Sequence, residues 1–75
     1  MTLACAPVAG ATQYELAIEY RTAAGAFTPY VTYAAAGPEK TFYPQVRGTT
    51  YRWRVHARVE GAWGGWSEWA TFAYR

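Results

Sequence analysis

The chain has no aspartate and no asparagine, and it holds one cysteine, one histidine and one serine among 75 residues. Without asparagine there is no N-glycosylation acceptor. Without aspartate a calcium loop loses its usual ligand. The lone Cys5 allows no internal disulfide, and one cysteine with one histidine falls short of the four ligands of a structural zinc site. The same scarcity leaves almost no catalytic inventory, since Ser67 and His56 have no aspartate to complete a nucleophile–base–acid set. No enzyme activity and no cofactor are therefore expected. The formal net charge of +2 argues against a nucleic-acid partner. No apolar run approaches the roughly 20 residues that span a bilayer, so no membrane span is expected. The opening stretch MTLACAPVAGA has neither a basic region nor a sustained apolar core, so it does not read as a signal peptide.

What the chain has in excess is aromatic residues, which make up 19% of it. A chain of this length forms one domain, residues 1–75, and covers only about 60% of its unfolded surface on folding. Large rings bury much area at low entropic cost, so they densify a small core that has no disulfide or metal to brace it. The dominant sequence period is two. Tyr14, Leu16, Ile18 and Tyr20 alternate with Glu15, Ala17 and Glu19. Tyr51, Trp53, Val55, Ala57 and Val59 alternate with Arg52, Arg54, His56 and Arg58. Both patterns predict half-buried strands, apolar inward and polar outward. Shorter candidates are Leu3–Val8, Tyr30–Ala34, Thr41–Tyr43 and Trp69–Tyr74. Turn signals at Gly10, Ala24-Gly25, Gly37-Pro38, Arg47-Gly48, Gly61 and Gly64-Gly65 separate them. Short strands at about ten-residue spacing predict an all-β sandwich or barrel.

Three stretches together resemble the fibronectin type III domain over nearly the whole chain. These are APVAGATQYELAIEY, VRGTTYRWRVHARV and WGGWSEWATF. The resemblance implies an immunoglobulin-like β-sandwich of two antiparallel sheets. About six strands are expected here: B at 2–7, C at 13–20, C′ at 29–34, E at 39–43, F at 50–59 and G at 69–74. It places Tyr51 at the family's tyrosine corner, where a phenol hydrogen-bonds the backbone upstream. The chain departs from the family in two ways. Cys5 stands near the family's strand-B tryptophan, so part of the core must be filled otherwise. The dozen residues of strand A that would precede TLACAPV are not in the sequence.

Trp66-Ser67-Glu68-Trp69-Ala70 resembles the Trp-Ser-x-Trp-Ser box of cytokine receptors, with alanine in place of the last serine. The resemblance implies tryptophans interleaved with arginines of the neighbouring strand, and Arg52, Arg54 and Arg58 have the alternating spacing to supply them. Trp63, Trp66 and Trp69 then clasp the outer face of one sheet rather than fill the core. The competing reading makes Trp63 and Trp66 a platform for a protein or carbohydrate partner, and a third takes Trp63-x-x-Trp66 and Trp66-x-x-Trp69 as C-mannosylation acceptors.

The remaining candidates read mostly as structure. Cys5 is expected to be a small buried hydrophobe, and His56 a solvated or stacked ring. Glu15 and Glu19 are expected to pair with the arginines of strand F rather than work as acid and base. Arg47-Gly48-Thr49 reads as the turn into strand F, and Tyr30, Tyr33 and Tyr43 as part core, part surface patch. The expected function is a non-enzymatic structural or interaction module of a surface or secreted protein. The alternative is a subunit of an extracellular filament, in which a neighbour's strand completes the open edge marked by Leu3 and Cys5. Its nine threonines are then candidate O-glycan acceptors. A protein partner or self-association is expected in either case.

Overall fold

The structure is a computed structural model that describes residues 2–22, 25–45 and 47–74. Ala24 of the predicted turn lies outside them. The described residues form no helix and seven strands: β1 (Thr2–Ala4), β2 (Ala11–Thr22), β3 (Thr28–Ala35), β4 (Glu39–Thr41), β5 (Thr49–Val59), β6 (Ala62–Trp63) and β7 (Ala70–Tyr74). β1 and β4 make a two-stranded sheet; the rest make a five-stranded sheet in the order β3-β2-β5-β6, with β7 also on β5. All pairings are antiparallel. The two sheets share one core, which makes the fold a β-sandwich.

The period-two pattern sets this arrangement. Tyr14, Leu16 and Ile18 of β2 and Tyr51, Val55 and Ala57 of β5 turn to one side and are buried. The β2–β5 register is continuous from Gln13↔Arg58 to Thr22↔Thr49, which puts the polar residues of both strands on the other side. Leu3 of β1 and Phe42, just past the end of β4, close the core at 1% exposure each. Phe42 lies edge-on to Tyr51, with ring centroids 5.4 Å apart, and also meets Tyr30, Tyr33 and Phe72. Trp53 faces this inner side too. Tyr30 and Tyr33 thus belong to the core margin, and only Tyr43, 71% exposed, stands in solvent.

Several expected boundaries move. β1 ends at Ala4, although the Cys5 N–H still donates to the Pro38 carbonyl at 2.9 Å; Pro7, with no N–H, then prevents continuation. β4 stops at Thr41, three residues before Pro44. The seventh strand, β6, was not expected. It folds back on β5 through Glu60 and Gly61, whose φ values of 52° and 80° give the two-residue hairpin turn its required handedness.

Two loops are tied down in the same way. The Gln45 N–H donates to the buried Tyr51 hydroxyl at 3.3 Å, the contact expected of a tyrosine corner. The Val8 N–H donates to the Tyr14 hydroxyl at 2.9 Å, also across six residues. Each loop carries a glycine at positive φ just before its strand, Gly48 at 75° and Gly10 at 76°.

Candidate functional site

β5 is paired with β2 along one edge, but its other edge has a gap. β7 covers Thr49–Trp53 and β6 covers Arg58–Val59. The intervening residues 64–69 fill the gap with single bonds rather than a ladder. The Gly64 N–H donates to Ala57 O at 2.9 Å and the Ser67 N–H to Val55 O at 2.8 Å. The Val55 N–H donates in turn to Ser67 Oγ at 3.0 Å, and that hydroxyl donates to Glu68 O. The only serine of the chain is therefore spent on holding this segment against β5. From this segment and the end of β6 the three tryptophans project over the sheet's outer face.

There they interleave with the outward residues of β5. The Arg52 guanidinium lies over Trp69 at 4.1 Å, and Arg54 lies between Trp69 at 4.5 Å and Trp66 at 4.6 Å. His56 is stacked between Trp66 and Trp63, with centroids 3.7 and 4.3 Å apart and planes within 17°. At the opposite end, Phe27 slots between Arg52 at 4.2 Å and Arg21 at 4.9 Å. The result is one continuous stack: Arg21, Phe27, Arg52, Trp69, Arg54, Trp66, His56, Trp63.

Carboxylates of β2 fix two rungs. Arg52 donates from Nε and Nη2 to Glu19 Oε1, Nε at 2.9 Å. His56 Nε2 meets Glu15 Oε1 at 2.8 Å, and its Nδ1 meets Gly64 O at 3.2 Å. Both ring nitrogens of His56 thus face oxygen atoms, which fixes the plane of the ring. Glu15 and Glu19 are four residues apart, about 13 Å along an extended strand, so they form no acid–base pair. Arg54 has the small Ala17 as its register partner on β2. Its Nε is buried with no hydrogen-bond partner, its planar cation held by rings on both faces.

The sequence-derived set is thus gathered at one place with one exception. Trp63, Trp66, Trp69, Arg52 and Arg54 are in the stack. Arg58 is exposed and lies opposite Trp63 in the β5–β6 register, outside the stack. The Gly64 contacts with Ala57 and His56 draw the Trp63 ring over His56, which takes the rung expected of Arg58. Phe27 and Arg21 were missed: Phe27 follows a loop glycine, and no local pattern directs it to β5. His56 carried a signal in its place in the outward alternation.

The second region is the β1 edge. Leu3 is buried, and its register partner is Lys40; Cys5 is half-buried and bonds Pro38. Backbone groups alternate sides along a strand. Leu3 therefore directs its N–H and C=O groups toward β4, as the Cys5 N–H does toward Pro38, and Ala4 directs its own to the other edge. The open edge expected at Leu3 and Cys5 belongs to their neighbours. Among the described residues that edge has no partner strand. Beside it lies an open, mainly apolar slot of about 200 Å3 between residues 5–8 and the outer flank of β5, lined by Cys5, Val8, Tyr14, Val55, Ala57 and Ser67 among others. Burial pushes the Cys5 thiol pKa up from its ordinary value.

Among the described residues no three metal-ligating side chains cluster, and no helix is long and apolar enough to cross a membrane. No protein-family model, no curated protein and no solved structure matches the chain.

Proposed function

We propose that the chain is a non-enzymatic structural and interaction module of an extracellular or cell-surface protein, built as a fibronectin type III-like sandwich. The observation that carries this reading is the eight-membered stack. It stiffens the outer face of one sheet and presents two indoles that stay 40% and 37% exposed, Trp63 and Trp66. Rigid aromatic rings with a solvent-facing part make good partner contacts, because little side-chain entropy is left to lose. The engagement of Ser67 and His56 in holding the loop supports a non-enzymatic role. An antibody against the chain, applied to intact cells and to their medium, tests the location. Recovery only after lysis overturns it.

The unpartnered β1 edge favours a second reading, a filament subunit that accepts a neighbour's strand. Head-to-tail addition does not close on itself and grows a fibre. Light scattering coupled to size exclusion decides this. Mass rising with concentration supports the filament, and a constant mass near 8.4 kDa rejects it.

A further inference from the structure

We propose that the slot beside β1 is a side-chain socket, and that with the β1 edge it forms a binding site for an extended strand from another protein chain carrying one bulky apolar residue. This inference rests on the strand-addition reading above and deepens it by naming what the added strand must carry.

Three observations place socket and edge together. Lys40 of β4 lies over the Tyr33 ring of β3 at 5.0 Å, so β4 covers the β3 side of the large sheet. The slot is lined by Gly65 and Ser67, which flank β5 on the opposite side, so it lies under the free edge of β1. Ala6, two residues beyond the outward-facing Ala4, lines the slot as well. A strand pairing along the Ala4 edge sends every second side chain inward, as Leu3 does on β1. One such side chain then enters the space beside Cys5.

Size and polarity define that residue. An apolar cavity of about 150 Å3 holds a benzene ring, so a slot of about 200 Å3 admits one phenyl or branched aliphatic side chain. The Tyr14 hydroxyl already accepts from the Val8 N–H, and the Ser67 hydroxyl accepts from the Val55 N–H and donates to Glu68 O, so the lining is mainly apolar toward a guest. Affinity comes from the backbone ladder and selectivity from the socket.

The test uses the full chain at a concentration where it is monomeric. The probes are fluorescein-labelled nine-residue peptides of threonine and lysine with one central guest: phenylalanine, leucine or glycine. The phenylalanine peptide is expected to bind at least about tenfold more tightly than the glycine peptide. Cys5→Phe fills the socket from within and is expected to erase that preference. Ala4→Pro removes an outward N–H and spares the bonds to β4, so it is expected to weaken every peptide with little change in melting temperature. A readout that needs no variant is the alkylation of Cys5, which the phenylalanine peptide is expected to slow and the glycine peptide to leave unchanged. Equal affinity for all three guests, or a preference that survives in Cys5→Phe, overturns the socket. If that guest-independent binding is lost in Ala4→Pro, strand addition stands without the socket. No binding of any peptide overturns both.

Discussion

Replacing Trp66 by alanine removes the ring that stacks on two side chains at once, the Arg54 guanidinium at 4.6 Å and the His56 ring at 3.7 Å. Trp66 is 37% exposed, so about 60% of a side chain offering roughly 200 Å2 is covered by protein. At about 25 cal/mol per Å2, that cover corresponds to about 3 kcal/mol. This is a ceiling, because the unfolded chain also shields some of the ring. The cation and ring contacts add about 0.5–1 kcal/mol each. A loss of about 2–3 kcal/mol is therefore expected, which in a domain of this size lowers the melting temperature by roughly 10–20 °C. Thermal unfolding followed by far-ultraviolet circular dichroism reads this directly. Arg54→Met keeps the apolar stem and removes the charge, and it is expected to lose less than Trp66→Ala. In a double-mutant cycle the two changes are expected to couple by about 1 kcal/mol, since each removes the other's partner. A ring held only for display costs under about 0.5 kcal/mol to remove, as at an ordinary surface site. A melting temperature lowered by less than about 3 °C, or strict additivity with Arg54→Met, refutes the clasp.

Three further outcomes are expected. Tyr14→Phe and Tyr51→Phe each remove the acceptor of a backbone N–H, that of Val8 or Gln45, and are expected to cost about 0.5–1.5 kcal/mol by urea titration. Thr49→Val is expected to stabilise the fold by about 1 kcal/mol, because Thr49 is 2% exposed and its hydroxyl has no hydrogen-bond partner; a lower urea midpoint counts against this. The raised Cys5 pKa means the fold favours the neutral thiol. That contribution is complete below the thiol's ordinary value and is lost as pH rises through the folded value. Cys5→Ala is therefore expected to flatten the alkaline fall of stability relative to the parent chain, and parallel pH profiles contradict it.

Much of this architecture was legible because β2 and β5 carry their faces in the sequence. Tyr14, Leu16 and Ile18 against Glu15, Ala17 and Glu19 need no knowledge of the rest of the chain to be sorted inward and outward. The same alternation put Arg52 and Arg54 beneath the tryptophans and, read literally, included His56. What it missed depends on approach from elsewhere in the chain. Phe27, just before β3, meets the Arg52 side chain of β5 although no local pattern directs it there. Arg58 fails to reach a ring only because the hairpin at Glu60-Gly61 and the Gly64 contacts swing Trp63 by one rung. Strand ends moved for a related reason. A proline such as Pro7 ends a ladder locally, but how far β4 follows β1 depends on where the two sheets meet. The slot beside Cys5 had a faint trace, a small side chain where the resembling family is bulky, and its shape depends on three separated segments.

The gap-filling segment also bears on how strand pairing is kept in register. Residues 64–69 hold β5 by a few single bonds, an arrangement that on its own leaves a chain free to slide. The stacked rings prevent this. They mesh with β5 as the teeth of a comb, ring and cation alternating at the spacing of every second residue. Sliding breaks the Gly64 and Ser67 bonds to β5 and carries each indole off its partners, leaving Trp63 beyond its histidine or an arginine without its indole. The stack therefore works as a ruler laid along the strand, measuring where the last turn must stop before β7 begins.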